Sequence, residues 1–199
     1  MKQSAGFPRN PADVVFLQYG RGRGVLMSAV LTFEKGTEDA VAAAHALLGQ
    51  MLPDAPPYAS LPRTFSGKPY LPAGPYLSVS HTRGAAACAV GTSPVGVDIE
   101  TMRRITEHLI HRVCSDAEAA WVSKSENPEA AFLTLWTLKE AYMKYLGLGL
   151  RLDPRTVVLR PEADRRFTIP GSGLVFWTFQ QDDLFISACS RQPFTLLSG

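Results

Sequence analysis

Cysteine, net charge and long apolar runs are all scarce in this chain of 199 residues. Its three cysteines, Cys88, Cys114 and Cys189, are widely spaced without a C-x-x-C pair, which excludes a disulfide framework and a cysteine zinc site. The formal net charge of +2 is too small to indicate a nucleic-acid or membrane partner. Free thiols and the absence of a signal-peptide pattern at the amino terminus predict a cytoplasmic protein.

No apolar run is long enough to predict a membrane helix. Residues 24–31 are apolar, but a membrane helix needs roughly 20 such residues. Hydrophobic residues make up 46% of the chain and charged residues 19%, as is ordinary for a soluble globular protein. The length is sufficient for one core or for two small halves that pack closely together.

Two apolar segments near the amino terminus, 13–19 and 25–33, are predicted strands. Between them lies Gly20-Arg-Gly-Arg-Gly24, a flexible loop. Its two arginines are candidates to hold a phosphate, but no flanking pattern matches a known phosphate-binding loop. We therefore expect a solvated loop.

A helix is predicted to start at Thr37-Glu38-Asp39, which offers a capping residue and acidic side chains, and to stop at Pro53. Its apolar positions follow helical spacing: Val41, Ala44, His45, Leu48 and Leu52. His45 therefore falls on the predicted buried face. A lone histidine there is more often a packed core residue than a ligand, and both interpretations stay open.

The proline-rich segment 53–75 is predicted to be an extended connection, in which Phe65-Ser-Gly-Lys-Pro-Tyr70 forms a turn that presents Lys68. Six later segments have the alternating or continuous apolar pattern of strands: 76–80, 85–90, 95–100, 156–160, 174–180 and 184–190. In the first of these, Ser78 and Ser80 are predicted to share one face of the strand.

Two carboxylates project from one face of the predicted strand 95–100. Side chains alternate along a strand, so Asp98 and Glu100 point the same way. Neighbouring carboxylates repel each other unless a cation or hydrogen-bond donors compensate. A metal site is one interpretation. The other is a strand that runs out into solvent, where acidic residues begin a loop.

Three further helices are predicted in the second half. The first covers 105–113, and the second begins at Ser115-Asp-Ala-Glu118, a capping box in which Glu118 reaches back to the Ser115 amide. The third and longest has Asn127 as its cap and Pro128 at its first position, and it ends at Gly147. Its apolar stripe is Phe132, Leu135, Trp136, Met143 and Leu146.

The longest helix also carries a line of functional side chains. Trp136, Glu140 and Lys144 are four residues apart and therefore share one helix face. Glu140 and Lys144 could simply form a favourable surface ion pair. Set beside Asp98 and Glu100, they could instead complete a site for a divalent cation and phosphate.

Four stretches stand in order along the chain: Gly67-Lys-Pro69, Ser78-Val-Ser-His-Thr82, Gly96-Val-Asp-Ile-Glu100 and Trp136-Thr-Leu-Lys-Glu-Ala-Tyr-Met-Lys144, followed by Gly147-Leu-Gly-Leu150. Together they closely resemble the motifs of the 4′-phosphopantetheinyl transferases of the surfactin-synthase-activating type. The combination covers roughly residues 65–160 and is far more specific than any one motif.

The resemblance implies an α+β fold of two similar halves related by a pseudo-twofold axis, each a small antiparallel sheet packed on a long helix. Residues 1–97 would form the half with the nucleotide contacts, and residues 98–199 the half with the metal and pyrophosphate site. It further implies a monomer that holds coenzyme A in the cleft between the halves.

The implied activity is transfer of 4′-phosphopantetheine from coenzyme A to a serine of an apo acyl or peptidyl carrier protein, with release of adenosine 3′,5′-bisphosphate. By resemblance, Asp98, Glu100 and Glu140 would hold Mg²⁺, or Mn²⁺ in its place. Two rivals remain. One is a non-catalytic module that binds coenzyme A or a carrier protein, and the other is a different metal-dependent phosphoryl-transfer enzyme.

Further roles follow from the resemblance. Lys144 would contact the pyrophosphate and stabilise or protonate the leaving group. Lys68, Ser80 and His81 take the positions of coenzyme A contacts. Lys139 is a weaker candidate for such a contact, because it points about 100° round the helix from Glu140.

Two positions have competing interpretations. Glu118 stands where the family carries a glutamate that is discussed as the base for the incoming serine, whereas the capping box gives it a structural role. His45 stands where the family carries an arginine that holds the 3′-phosphate of coenzyme A. Arg9, Arg21 and Arg23 are candidates to compensate for that arginine.

Overall fold

The computed structural model describes residues 29–162 and 167–191. The predictions for the strand 13–19, the loop 20–24 and Arg9 lie outside the described residues, as does the first part of the predicted strand 25–33. Among the described residues, none of the helices combines the length and the apolar character needed to cross a membrane.

The first half of the described chain is a three-stranded antiparallel sheet with one helix. Its strands are ordered β1-β3-β2: β1 Ala29–Lys35, β2 Tyr76–Thr82 and β3 Ala85–Gly91. Helix α1, Ala40–Met51, packs mainly on β3. Its start lies at the predicted segment 37–39, but Asp39 is the cap rather than a first-turn residue, and its carboxylate accepts from the amides of Val41 and Ala42.

The buried face of α1 differs from the predicted one. Its buried residues are Ala43, Ala44, Leu47 and Leu48. Val41 is 45% exposed, and His45 is half-buried at the edge of the face, where it stacks on Tyr58 with ring centroids 4.3 Å apart. The small side chains of α1 meet a strand that is itself rich in alanine, so the helix approaches the sheet through them rather than through Val41.

The second half of the described chain has a matching but larger arrangement. Its antiparallel sheet is ordered β4-β8-β7: β4 Val95–Thr101, β7 Val175–Gln181 and β8 Leu184–Ser190. A separate pair of two-residue strands joins β5 Arg160–Pro161 to β6 Phe167–Thr168. The helices are α2 Glu107–Val113, α3 Asp116–Ser123 and α4 Pro128–Leu146.

Helix α4 spans the second sheet and has the predicted ends. The Asn127 side chain accepts from the Ala130 amide at 3.0 Å, and Gly147 takes a left-handed conformation with a φ of 70°. The predicted apolar stripe is wrong at Leu146, which is the last residue of the helix and is 41% exposed. The rest of α4 is buried more widely than one stripe, since it packs on β4, β8 and α3.

The strand predicted at 156–160 is wrong. The segment Pro154–Thr156 forms a 3₁₀ turn, and only Arg160 belongs to a strand. The Asp153 side chain caps that turn by accepting from the Arg155 amide at 3.0 Å. Such local side-chain capping competes with strand pairing, which the apolar pattern alone did not reveal.

The predicted α+β class with antiparallel sheets is confirmed, while the pseudo-twofold axis stays a prediction. The predicted division between residues 97 and 98 falls inside β4. Every residue of β4 pairs with β8, so the whole strand belongs to the second sheet. The chain changes from one sheet to the other in the turn between β3 and β4. The division into two domains also stays a prediction.

Strands β2 and β4 run side by side where the two sheets meet, and we call this line the seam. Ser78, Ser80 and Thr82 contact Val97, Asp98 and Glu100 in turn, so both strands run in the same direction. The contacts are made through side chains, as in the 3.1 Å hydrogen bond from the Val97 amide to Ser78 Oγ. The serine face of β2 therefore meets the acidic face of β4.

Candidate functional site

The seam brings together Ser80, Asp98 and Lys144 from three elements. Ser80 Oγ donates to Asp98 Oδ1 at 2.7 Å. The ammonium of Lys144 donates to both, at 2.7 Å to Ser80 Oγ and at 2.8 Å to Asp98 Oδ1. Because Asp98 is only 5% exposed, the ammonium and the hydroxyl replace the water that its carboxylate would otherwise bind.

One oxygen of Asp98 is left over. Asp98 Oδ2 is buried and has no hydrogen-bond partner within the described part of the chain. A buried carboxylate oxygen without a partner is costly, and such a group in a folded protein calls for an explanation such as an ion or a bound water. This atom is the strongest local indication that the site accepts a cation.

Glu100 lies one strand pair further along the seam. Trp136 donates its indole N–H to Glu100 Oε1 at 3.0 Å, and Arg103 Nη2 lies 3.7 Å from the same oxygen. Thr82 Oγ1 is 3.4 Å from Oε2. Burial raises the pKa of Glu100, and the nearby Asp98 carboxylate raises it further, whereas Trp136, Arg103 and Lys144 lower it.

Glu140 completes the acidic cluster from the side of α4. Burial raises its pKa to about 7, with Asp98 and Glu100 adding to the rise and Lys144 opposing it. Three carboxylates therefore share one ammonium, with Arg103 at the margin. The cluster has more negative than positive charge, an imbalance that either protons or a cation would relieve.

The close contact between α4 and β4 depends on Gly96. A Cβ atom at this position would lie 1.8 Å from the carbonyl oxygen of Ala141 and 2.7 Å from the Tyr145 amide nitrogen. No side chain fits there, because the obstacles are backbone atoms. The glycine of the Gly-Val-Asp stretch thus brings the helix that carries Glu140 and Lys144 close to the strand that carries Asp98.

Among the described residues, no three His, Cys, Asp or Glu side chains converge closely enough to hold a metal ion by themselves. The donor chemistry nevertheless suits Mg²⁺, which usually binds one or two carboxylates and takes its other oxygens from substrate phosphates and water. The partnerless oxygen of Asp98 fits that pattern. The predicted ligands are near one another but do not form a closed cage.

Glu118 forms the predicted capping box. Its Oε2 accepts from the Ser115 amide at 2.8 Å and from Ser115 Oγ at 2.9 Å, and its Oε1 accepts from the Leu159 amide at 3.0 Å. Lys139 Nζ donates to the same Oε2 at 2.7 Å. The carboxylate is 5% exposed.

Lys139 is fully buried. Besides Glu118, its ammonium binds the carbonyl oxygens of Val113 and Pro154, both at 2.9 Å. A buried ammonium with three acceptors cannot reach coenzyme A without leaving them. The predicted substrate contact of Lys139 stays a prediction, and no motif indicated its two carbonyl partners.

Lys68 lies in the predicted turn, where Gly67 has a φ of 89°. Its ammonium points inward and donates to the carbonyls of Val95, at 3.2 Å, and Lys144. Burial lowers its pKa to about 8, and the Lys144 ammonium also lowers it. Lys68 thus holds the carboxyl end of α4, while its predicted role as a nucleotide contact stays a prediction.

The two histidines that were predicted to contact coenzyme A, His81 and His45, lie in different parts of the first half. His81 follows Ser80 at the exposed end of β2, and strand alternation points it to the opposite face. His45 lines a groove of about 380 Å³ beside Tyr58 on the far side of the first sheet. Their predicted contacts to coenzyme A stay predictions, and Arg21 and Arg23 lie outside the described residues.

Sequence reasoning missed two hydrogen-bonding roles at the seam. Trp136 was expected in the apolar stripe, yet its indole N–H orients Glu100. Ser78 was placed on the correct face, but its bond to the Val97 amide requires knowing that β2 and β4 are neighbours. The four-residue spacing between Trp136 and Glu140 was the available signal for the first of these roles.

Comparison with known proteins adds a family to this geometry. Residues 94–192, which include β4, α4 and the acidic cluster, match the family model described as the 4′-phosphopantetheinyl transferase superfamily. This part of the chain is similar to that superfamily. The resemblance that the sequence motifs indicated is thereby confirmed.

Individual relatives agree with the family match. A 4′-phosphopantetheinyl transferase of Bacillus subtilis is 33% identical over 137 residues, which are 64% of this chain and 61% of the relative. The 4′-phosphopantetheinyl transferase gsp of Aneurinibacillus migulanus is 34% identical over 86 residues, 42% of this chain and 36% of the relative. The chain therefore spans less than two thirds of the length of these curated relatives.

Proposed function

We propose that this protein transfers 4′-phosphopantetheine from coenzyme A to a serine of an apo acyl or peptidyl carrier protein. The match of residues 94–192 to the 4′-phosphopantetheinyl transferase superfamily supports the proposal. So does the cluster at the seam, whose carboxylates and ammonium suit the transfer of a phosphoryl group from a pyrophosphate to a hydroxyl.

The observation that carries the proposal is the unequal hydrogen bonding of the two carboxylate oxygens of Asp98. One of its oxygens binds Ser80 and Lys144, and the other is buried without a partner in the described part of the chain. A structural ion pair would use both oxygens or expose the second one to water. A carboxylate with one oxygen fixed and one reserved is suited to share a cation with a substrate phosphate.

The proposed reaction needs no nucleophile from this chain. The serine hydroxyl oxygen of the carrier forms a bond to the β-phosphorus of coenzyme A and releases its proton to solvent water. The bond from that phosphorus to the bridging oxygen breaks, and its electron pair leaves on adenosine 3′,5′-bisphosphate. Lys144, already poised at the seam, binds the pyrophosphate oxygens, stabilises the negative charge of the departing group and can donate a proton to it.

Mg²⁺, with Mn²⁺ as the alternative, fits the oxygen donors of Asp98, Glu100 and Glu140. When bound, the ion supplies positive charge to the pyrophosphate oxygens during the transfer. Trp136 holds Glu100 in place, and Gly96 keeps Glu140 close to the strand. These contacts prepare the carboxylates before the substrate arrives.

The experiment is to incubate the protein with apo carrier proteins, coenzyme A and Mg²⁺ and to measure the intact mass of each carrier. The proposal predicts an increase equal to one phosphopantetheine, together with release of adenosine 3′,5′-bisphosphate. A variant carrier with alanine at the acceptor serine is the matched control. Binding of coenzyme A without any adduct on several carriers would favour the non-catalytic module instead.

A further inference from the structure

The contact between Glu118 and Lys139 is the most deeply buried ion pair of the described residues. Lys139 Nζ lies 2.7 Å from Glu118 Oε2, with side-chain exposures of 0% and 5%. A buried ion pair is tolerated only where other hydrogen bonds satisfy the remaining donors and acceptors. Here the ammonium has two carbonyl acceptors in addition, and the carboxylate has three further donors.

These partners come from separate segments of the second half. Val113 ends α2, Ser115 caps α3, Pro154 begins the 3₁₀ turn, and Leu159 lies just before β5. The ion pair therefore fastens four segments to α4 at one buried point. None of these contacts is with the acidic cluster at the seam.

The segments that the ion pair joins are connected to the acidic cluster through Trp136. Val113 and Pro154 line a cavity of about 680 Å³ together with Trp136. Trp136 in turn donates to Glu100. On α4, Lys139 is the residue before Glu140, so the three acceptors that fix the Lys139 ammonium also resist rotation of the helix about its axis.

A role of Glu118 as a base requires an oxygen within hydrogen-bonding reach of the incoming hydroxyl. Both of its oxygens already accept from groups of the protein, and the carboxylate is almost completely buried. A serine of another protein would have to displace the Lys139 ammonium or a backbone amide. The geometry thus favours a structural contact over proton transfer.

We propose that Glu118 and Lys139 form a positioning pair, which holds α4 and the side chain of Trp136 in their places beside the seam. Glu118 is then not the base of the reaction. This inference rests on the proposed function for its kinetic part. Its structural part stands without any activity, because it concerns how the segments at Val113 and Pro154 are held.

The structure provides its own probe for the pair. Cys114 follows Val113 directly and is 3% exposed, whereas Cys88 in β3 and Cys189 in β8 are completely buried. Burial raises the pKa of the Cys114 thiol to about 11, so it reacts slowly with alkylating reagents while the segment is closed. Loosening of the Val113 contact should expose Cys114 and leave the other two thiols protected.

The first experiment measures maleimide labelling of each cysteine by mass spectrometry in Lys139→Met and Glu118→Gln. We expect Cys114 to label about tenfold faster or more in both variants, because a lost partner favours local opening. Lys124→Met and Glu126→Gln, at exposed positions nearby, are the matched controls and should label like the unsubstituted protein. Unchanged Cys114 labelling in both variants would overturn the positioning pair.

The second experiment measures transfer to a carrier as the Mg²⁺ concentration is varied. If Glu140 and Glu100 are displaced in the variants, the Mg²⁺ concentration that gives the half-maximal rate should rise. At saturating Mg²⁺, the kcat of both variants should come within about fivefold of that of the unsubstituted protein. Loss of a general base would instead lower kcat by about 10² to 10⁴ in Glu118→Gln at any Mg²⁺ concentration. That second pattern, with near-normal kcat in Lys139→Met, would overturn the proposal.

The two experiments separate the possible failures. If the unsubstituted protein modifies no carrier, the proposed function fails, and the labelling still decides whether the pair holds the segment. Glu118→Gln preserves the side-chain volume, so it serves if Lys139→Met does not fold. If both variants unfold, labelling of all three cysteines rises together, and the positioning role is overturned, because the pair would then be required for the whole fold.

Discussion

Helices α1 and α4 each pack on one of the two sheets but bury different kinds of side chain. The buried residues of α1 are two alanines and two leucines, and its one histidine lies at the edge of the buried face. Helix α4 buries Thr137 and Lys139 among its apolar residues and directs Glu140 and Lys144 to the seam. The first half thus contributes chiefly packing and the hydroxyl of Ser80, whereas the second half carries the charge.

This difference concerns energy as well as residue types. A buried apolar face tolerates small changes of shape, because nothing in it has to be paired. A buried polar network is sensitive to the loss of any partner, since the remaining group stays desolvated. Substitutions on α4 and β4 should therefore alter activity and stability far more than comparable substitutions on α1.

The largest effect is expected for Glu140→Gln. Gln keeps the size of the side chain but removes the negative charge that would bind the cation, so kcat should fall by about 10² to 10³ while folding is retained. Initial rates of carrier modification measure this loss. Glu129→Gln, at the first turn of the same helix, should change the rate little. Equal rates in the two variants would place the chemistry elsewhere.

The next effect concerns stability at Gly96. Gly96→Ala puts a methyl group against the backbone of α4 and should lower the free energy of unfolding by about 3 kcal/mol, at the upper end of overpacking. Gly49→Ala in α1 has open space and should raise it by about 0.5–1 kcal/mol, because alanine favours the helix. Urea denaturation measures both. A mild loss at Gly96 would mean that α4 and β4 separate easily.

A smaller effect should appear as a pH dependence at Lys68. Its pKa is lowered by burial to about 8, whereas the unfolded chain keeps the ordinary value of 10.5. Between these values the unfolded state binds more protons, so the stability contributed at this position rises as the pH rises. The unfolding free energy of the unsubstituted protein relative to Lys68→Met should therefore increase from pH 7.5 to pH 9.5, by urea denaturation.

The control for Lys68 is Lys124→Met, which removes an exposed lysine. Its difference from the unsubstituted protein should stay nearly constant over the same pH range. A pH-independent difference for Lys68→Met would show that the ammonium stays hydrated. The Lys68 ammonium would then not bind the carbonyl oxygens of Val95 and Lys144, and this contact between the first half and the end of α4 would be absent.

The smallest effect is expected in the first half. By the resemblance His45 takes the place of an arginine, and a half-buried imidazole there lacks the bidentate guanidinium fork, so it should hold a 3′-phosphate weakly. Coenzyme A and its 3′-dephospho form should therefore differ by less than about threefold in kcat/KM, and His45→Ala should change that ratio little. A strong preference for the 3′-phosphate that is lost in His45→Ala would reverse the contrast between the halves.

Local sequence signals predicted the elements well where the cause of the structure is itself local. Asn127, Pro128 and Gly147 set the ends of α4 through their own backbone preferences, and Asp39 does so for α1. Alternation along β4 correctly placed Asp98 and Glu100 on one face. The strand at 156–160 failed because a cap at Asp153 overrides the apolar pattern.

The site was less predictable, because its contacts join segments that are distant in sequence. The motifs identified Asp98, Glu140 and Lys144, and the structure supplied their relation to Ser80. The buried position of Lys139 depends on carbonyl oxygens of Val113 and Pro154, which any residue type provides. The inward direction of Lys68 likewise depends on backbone acceptors in β4 and α4.

The most direct test of a cation site at the seam is a calorimetric titration of Mg²⁺ into the protein saturated with coenzyme A. The unsubstituted protein should bind one ion, and Asp98→Asn should bind it about 10 to 100 times more weakly, because the partnerless oxygen of Asp98 would be lost as a charged ligand. Ser78→Ala, which removes a hydroxyl bound only to a backbone amide of the seam, should bind nearly normally. Equal Mg²⁺ binding by Asp98→Asn and the unsubstituted protein would contradict the account.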